Sequence, residues 1–449
     1  MENFGALALI PTLAVIVLAV LSRRALESLV GGVIVGQVMI SQDEVMQRIV
    51  ASAQTVLADG TIVWILLAVS LFGALTHLVV HSGGAQAFAG LLIRICRTRR
   101  SSLIATWALG LLIFIDDYLN ALTVGASMKR VTDSHRVSRP MLSYVVDSTA
   151  APICVLVPLS TWAVYVSGLL EINGVAEAGQ GVVAYISSIP YMIYPLVAVL
   201  LVPLVAIGLV PALGAMKRAE ARAYAGESTA TAVQDEPQID FQHRGAPRLH
   251  NFLVPIVSLI FFTWWFEVDI LMGVTAALVI SVLLYGLQGT LKVGQMFDLA
   301  MEGVKGMVPA IAIIVASFML KEVNDILGLT DFVIETVSPL MTATLLPPVA
   351  FLTLALIAFA TGSFWGMYAI ALPIILPLGL ALDMDAFLLV GVVVSAGAFG
   401  SHACFYGDST VLSASSSDVT TMDHALTQLP YVLIAAGLSA LAYFALGLV

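Results

Sequence analysis

Hydrophobic residues run in long blocks along this chain, and short polar stretches between them carry most of the charge. Blocks at 5–21, 25–41 and 61–81 fall within the roughly 17 to 25 residues that span a hydrocarbon core about 30 Å thick. A polar loop at 42–60 carries Asp43, Glu44 and Asp59, and a short amphipathic piece at 83–93 leads to Arg94, Arg97, Arg99 and Arg100. Blocks at 188–213, 249–266, 270–287, 307–325 and 428–448 predict further crossings. Between them lie an outside loop at 171–187, a polar linker at 216–248 and a Lys-containing loop at 288–305.

Four blocks are not simple crossings. The apolar run 102–128 is flanked by the arginine group above and, beyond it, by Lys129, Arg130, Arg136 and Arg139. Basic loops stay in the cytoplasm, so both ends lie on one side and the run is a re-entrant hairpin. Each arm of about 12 residues reaches roughly 18 Å, to mid-core, with Asp116 and Asp117 at the tip. The run 347–380 is a second hairpin whose acidic flanks (Asp331, Glu335, Asp383, Asp385) place its entry outside; Thr361, Gly362 and Ser363 form its tip. Residues 140–170 form a span interrupted at 157–162, where Pro158 breaks the helix. Residues 385–416 form another, interrupted between His402 and Thr410.

Laid on one another, the halves align Asp116 and Asp117 with Gly362 and Ser363, and Ser160 and Thr161 with Asp408 and Ser409. Each half has five spans, one interrupted, and one hairpin; an odd number of crossings inverts the second half. The expected architecture is an all-α polytopic membrane protein of two inverted repeats, about 10 spans plus 2 re-entrant hairpins. Repeat 1 covers 1–215, a cytoplasmic linker 216–248 and repeat 2 249–449, with both termini outside. Of the 19 Lys and Arg, 17 fall on the cytoplasmic side, all but Arg48 and Lys321.

Composition agrees. The 449 residues are 60% hydrophobic and 11% charged, which excludes an ordinary soluble globule. The net charge of −10 says little about partners, since its distribution across the bilayer matters more. Nothing points to nucleic acid. The first block lacks a basic segment before it and reads as a span, not a cleaved signal. Cys96, Cys154 and Cys404 make no disulfide or metal pattern. No P-loop occurs, so the driving force is an ion gradient and no cofactor is expected beyond transported ions. His402, Asp408 and Ser409 lack a nucleophile-activating spacing, which argues against an enzyme. Hairpins entering from both sides argue against a passive channel.

Inverted repeats with broken helices place a binding site near the midplane, where four pieces converge. The first tip offers Asp116, Asp117 and Asn120; the first break offers Ser160 and Thr161, with Asp147 and Ser148 before it. The second tip offers Thr361, Gly362 and Ser363; the second break offers His402, Tyr406, Asp408, Ser409 and Thr410. Carboxylates and hydroxyls suit a hard cation, and Asp116, Asp147 and Asp408 are the Na⁺ candidates. Carboxylates that lose water hold their charge at a cost that a cation or a proton relieves, which allows the two to compete. Plainer roles stand beside these: Asp117 and Asp408 as helix caps, Asp147 as a link to a neighbouring helix, and His402 as a satisfied interior histidine. Tyr118, Trp162, Phe364 and Trp365 are packing, or the wall of a cavity for an organic substrate.

These strings resemble the NhaC family of Na⁺/H⁺ antiporters, within the ion transporter superfamily. The resemblance rests on Phe114-Ile-Asp-Asp-Tyr-Leu-Asn-Ala-Leu-Thr-Val-Gly125, Asp147-Ser-Thr-Ala-Ala-Pro152, Pro158-Leu-Ser-Thr-Trp162, Gly362-Ser-Phe-Trp-Gly366 and Tyr406-Gly-Asp-Ser409. It implies a dimerising scaffold domain and a transport domain that carries the hairpins in an elevator motion. The resembling proteins include exchangers of organic acids or amino acids and drug-efflux proteins, and Phe364 stands where a small hydroxyl residue is more typical. The expectation is therefore a bacterial inner-membrane Na⁺/H⁺ antiporter, a homodimer among membrane lipids. The alternative is Na⁺- or H⁺-coupled exchange of a small organic substrate.

Overall fold

The computed structural model describes residues 4–22, 25–84, 87, 96–230, 248–337, 341–361, 364–405 and 407–448. Among these, every regular element is helical. The first half runs α1 (Ile10–Ser22), α2 (Ala25–Ile40), α3 (Val45–Ala58), α4 (Gly60–His81), α5 (Arg99–Leu112) and α6 (Asp117–Ser134). It continues with α7 (Arg139–Thr149), α8 (Ala151–Leu156), α9 (Thr161–Ile172), α10 (Gly181–Ser188), α11 (Ile193–Ile207) and α12 (Gly214–Tyr224). The second half runs α13 (His250–Trp265), α14 (Ile270–Leu287), α15 (Val293–Leu327), α16 (Leu329–Val337), α17 (Leu346–Thr361) and α18 (Phe364–Leu380). It closes with α19 (Ala386–Ala403), α20 (Asp408–Ser416) and α21 (Thr421–Leu446).

Among the described residues, six helical stretches are long and apolar enough to cross a membrane: α4, the run Arg139–Ile172, α14, α15, α19 and α21. A seventh is α10 with α11, bent by 57°. Shorter apolar helices at Gly5–Leu18, Leu26–Ile40 and His250–Trp265 coincide with the other expected spans. The expected interruptions fall at 157–160, between α8 and α9, and at 404–407, between α19 and α20. The first expected hairpin holds α5 and α6, in contact with each other and separated by residues 113–116, and the second holds α17 and α18, also in contact with each other.

Four polar stretches read as loops or linker fold differently. Residues 42–60 hold α3, whose Ser52 and Val56 face inward. Asp59 closes that stretch as the N-cap of α4, its Oδ1 accepting from the Thr61 and Ile62 amides at 2.8 and 3.0 Å. Residues 171–187 hold the start of α10, and 288–305 is largely the first part of the 35-residue α15. Gln295, Asp298, Glu302 and Lys305 are spaced three or four apart and form one polar face, a helical period that resembles a loop when only polarity is counted. In the linker, α12 buries Met216, Ala219, Glu220 and Ala223 and packs on α7 and α21. The piece at 83–93 and linker residues 231–247 lie largely or wholly outside the described residues.

Two packing groups emerge. In one, α15 lies along α4 and α2, and α14 packs on α4 and α13. In the other, α5 to α9 interleave with α17 to α21. The interrupted run Arg139–Ile172 is 78% enclosed by protein and α19 is 83% enclosed, against 33% for α14 and α21. Irregular backbone at membrane depth survives only where protein or a water-lined cavity satisfies its polar groups, and the broken helices are the enclosed ones. The α4–α15 crossing is tight: a Cβ on Gly73 would sit 2.5 Å from the Gly303 carbonyl oxygen. Gly73→Val is expected to lower stability by about 1–3 kcal/mol through overpacking. Thermal melting of the purified protein checks this, and an unchanged midpoint would show that the helices separate freely.

Candidate functional site

The α5–α6 break is built by one asparagine. Residues 113–116 leave the helix, and α6 starts at Asp117. The ends of both flanking helices leave carbonyls and amides without helical partners. Asn120, fully buried in the first turn of α6, answers the carbonyls: its Nδ2 lies 2.7 Å from Gly110 O, 2.8 Å from Ile113 O and 2.7 Å from Thr149 O. One amide thus joins the end of α5 to the end of α7. Gly110 permits the approach, since a Cβ there would sit 2.1 Å from Thr149 Oγ1. Asn120 was expected as a ligand; its nitrogen is committed as a strut, and its Oδ1 has no partner among the described residues.

Asp116 and Asp117 are only 4% and 3% exposed. The facing break between α8 and α9 meets them. Thr161 N donates to Ile115 O at 3.2 Å, joining the two breaks through backbone. Thr161 Oγ1 donates to Asp116 Oδ2 at 3.5 Å, and Trp162 Nε1 donates to Asp117 Oδ1 at 3.2 Å. Ser160 is the N-cap of α9: its Oγ accepts from Ala163 N at 3.1 Å and donates to Cys154 O at 2.5 Å. Such caps contribute about 1 kcal/mol, so Ser160 shapes the break and its hydroxyl hydrogen is already spent. Behind the carboxylates stands an aromatic wall. Trp162 stacks on Phe364 with centroids 3.9 Å apart, Trp365 lies 5.7 Å from Trp162, and Tyr165 Oη donates to Trp365 O at 2.8 Å. Tyr118 is half-buried beside Asp117 in sequence.

A second centre surrounds Asp147, which is fully buried. Its Oδ1 accepts from Ser409 Oγ at 2.5 Å and Ser413 Oγ at 3.4 Å. Its Oδ2 pairs with His424 Nε2 at 3.0 Å and accepts from Gln428 Nε2 at 2.9 Å. The Gln428 amide also donates to His402 O at 2.8 Å. His402 is satisfied at both nitrogens, Nε2 against Ser148 Oγ at 3.0 Å and Nδ1 against Tyr194 Oη at 2.8 Å. Thr410 Oγ1 donates to Ser401 O at 3.3 Å, stitching α20 to α19.

Asp147, Ser148, His402 and Ser409 are therefore brought together, as are Asp116, Asp117, Ser160 and Thr161. The given contacts of Asp116 reach Thr161 and those of Asp147 reach Ser409, Ser413, His424 and Gln428, and among the described residues no group of three or more His, Cys, Asp or Glu side chains could hold a metal ion. Gly362, Ser363 and Tyr406, with the side chains of Thr361 and Asp408, lie outside the described residues. Sequence reasoning missed Tyr194, Ser413, His424 and Gln428. His424 and Gln428 stand four apart on one face of α21, a spacing that marks a polar stripe on an otherwise apolar helix.

Buried carboxylates at paired helix breaks inside a polytopic helical bundle define a secondary transporter. Over residues 153–448 the sequence matches the Na⁺/H⁺ antiporter family, and the chain belongs to it. It is 29% identical over 478 residues to an uncharacterized protein of Haemophilus influenzae, covering 98% of this chain and 90% of that one. Two solved structures share the fold. Neisseria gonorrhoeae MtrF, placed in a class of antimetabolite efflux pumps, matches with a TM-score of 0.50 at 11% identity, over 91% of this chain and 85% of that one. The Alcanivorax borkumensis YdaH transporter, described as having an unusual topology, matches with a TM-score of 0.56 at 13% identity, over 87% and 89%.

Proposed function

We propose that the protein exchanges Na⁺ for H⁺ across the bacterial inner membrane. The Asp116–Asp117 break holds the cation, and the inverted repeats work by an elevator-like motion of the hairpin-bearing group. The observation that carries this is the pair of adjacent carboxylates, 4% and 3% exposed, held against a second helix break. Two acids enclosed together are costly to keep ionised without a counter-charge, which a cation supplies. Family membership supports the exchange chemistry, and the enclosure of the broken helices supports a moving transport group. In this reading the protein is a homodimer in lipid with both termini outside.

The test is proton flux in proteoliposomes with an internal pH dye on addition of NaCl, KCl or nothing. Na⁺-specific proton movement is the expected result. Silence toward every cation would sink the exchange reading and favour the second one, ion-coupled exchange of a small organic acid, amino acid or drug. That alternative rests on the Trp162–Phe364 stack, a flat apolar wall beside the carboxylates.

A further inference from the structure

Both oxygens of Asp147 are already occupied by donors from two other helices, α20 and α21. A cation there would have to displace them. The neighbouring histidines differ in a way that assigns the centre another task. His402 has a hydroxyl at each nitrogen and is complete as a neutral ring. His424 is half complete: Nε2 faces the Asp147 carboxylate, while Nδ1 is buried with no partner among the described residues. With Nε2–H donated to the carboxylate, Nδ1 carries the free lone pair. We propose that Asp147 and His424 form a proton-binding dyad, loaded at His424 Nδ1 and separate from the cation site at the Asp116–Asp117 break. This rests on the exchange reading.

The step balances without a co-reactant. One proton adds to Nδ1, the dyad passes from a neutral imidazole beside a carboxylate to an imidazolium–carboxylate pair, and release reverses it. His424 is itself fully buried, but it sits in the first turn of α21 and is flanked in sequence by Met422, 53% exposed, and the exposed Asp423. Among the described residues, the titratable groups tied to the dyad by hydrogen bonds are His402 of α19, through Gln428, and Tyr194 of α11, through His402, while Tyr144 of α7 stacks on Tyr431 of α21. Charged groups at the same end are mutually paired: Lys129 and Arg139 with Asp418, Arg139 with Asp133, and Arg99 of α5 with Glu220 of α12. Communication with the cation site has a covalent and hydrogen-bonded route. Asp147 lies two residues before Thr149, whose carbonyl accepts from Asn120, which also holds the carbonyls of Gly110 and Ile113 at the α5–α6 break.

The experiment uses full-length protein in proteoliposomes and compares wild type, His424→Gln, Asp147→Asn and Asp116→Asn in two assays. One is Na⁺-driven proton movement across a range of pH; the other is exchange of radioactive sodium for sodium, which moves no net proton. For His424→Gln, Na⁺-driven proton movement is expected to fall about 100-fold with its pH profile flattened, while sodium–sodium exchange is retained. The isosteric Asp147→Asn is the second variant and is expected to behave alike, and Asp116→Asn is expected to lose both activities. Loss of sodium–sodium exchange in folded, monodisperse Asp147→Asn and His424→Gln would overturn the separation of sites. Wild-type proton movement and pH profile in His424→Gln would overturn the dyad. A wild type inert to Na⁺ in both assays would instead remove the exchange reading, and the dyad with it.

Discussion

Asp116→Asn is expected to abolish Na⁺-driven proton movement, while Asp117→Asn is expected to weaken it by a smaller factor. Asp116 Oδ2 accepts from Thr161 Oγ1 at 3.5 Å, the long limit of a hydrogen bond, and that contact costs little to exchange for a cation. Asp117 Oδ1 accepts from the Trp162 indole at 3.2 Å, and Asp117 also opens α6, so its charge serves the helix N-terminus as well. Removing a carboxylate that pairs with a buried cation costs about 2–5 kcal/mol, which is roughly 30-fold to several thousand-fold in affinity at about 1.4 kcal/mol per decade. Proton flux and Na⁺ affinity of each variant read this directly. Equal losses in the two would mean that the pair acts as one unit.

Asn120 is expected to be the most sensitive neutral residue of the site. Asn120→Leu keeps the bulk but leaves the carbonyls of Gly110, Ile113 and Thr149 without their donor. Orphaned buried groups cost about 1–3 kcal/mol each, so stability and transport are both expected to collapse. Asn120→Asp separates two roles. It keeps an oxygen for a ligand but cannot donate to carbonyls while ionised. A strut predicts that Asp fails as badly as Leu; near-normal transport by Asn120→Asp would make the side-chain oxygen a cation ligand instead. Thermal melting alongside flux distinguishes misfolding from a lost ligand.

The readable parts of this sequence were those where chemistry conflicts with its surroundings. Asp116 and Asp117 inside an apolar run, and Pro158 with Ser160 and Thr161 inside another, located two of the helix breaks to within a few residues. The break at 404–407 was legible for the same reason. What stayed hidden was structure that costs nothing locally. The polar first part of α15 satisfies helical spacing but looks like a loop by polarity. His424 and Gln428 sit where a crossing had been started too late, at 428, so a histidine before the apolar block carried no signal of burial. Their importance arises from α7, some 280 residues away in sequence, which brings Asp147 to them. The pairing of Asn120 with three carbonyls is equally non-local and cannot be read from spacing.

The length of α15 carries a mechanical consequence. Thirty-five residues make a rod of about 52 Å at 1.5 Å per residue, against a hydrocarbon thickness of about 30 Å. The surplus must lean or leave the apolar layer. Asp298, Glu302 and Lys305, all exposed, assign the protruding share to its N-terminal end. Because Gly303 is clamped on Gly73, a lean imposed by thinner or thicker lipid passes to α4 as well. The helix therefore couples the protein to lipid chain length: short-chain and long-chain bilayers set different resting postures for the α4–α15 pair.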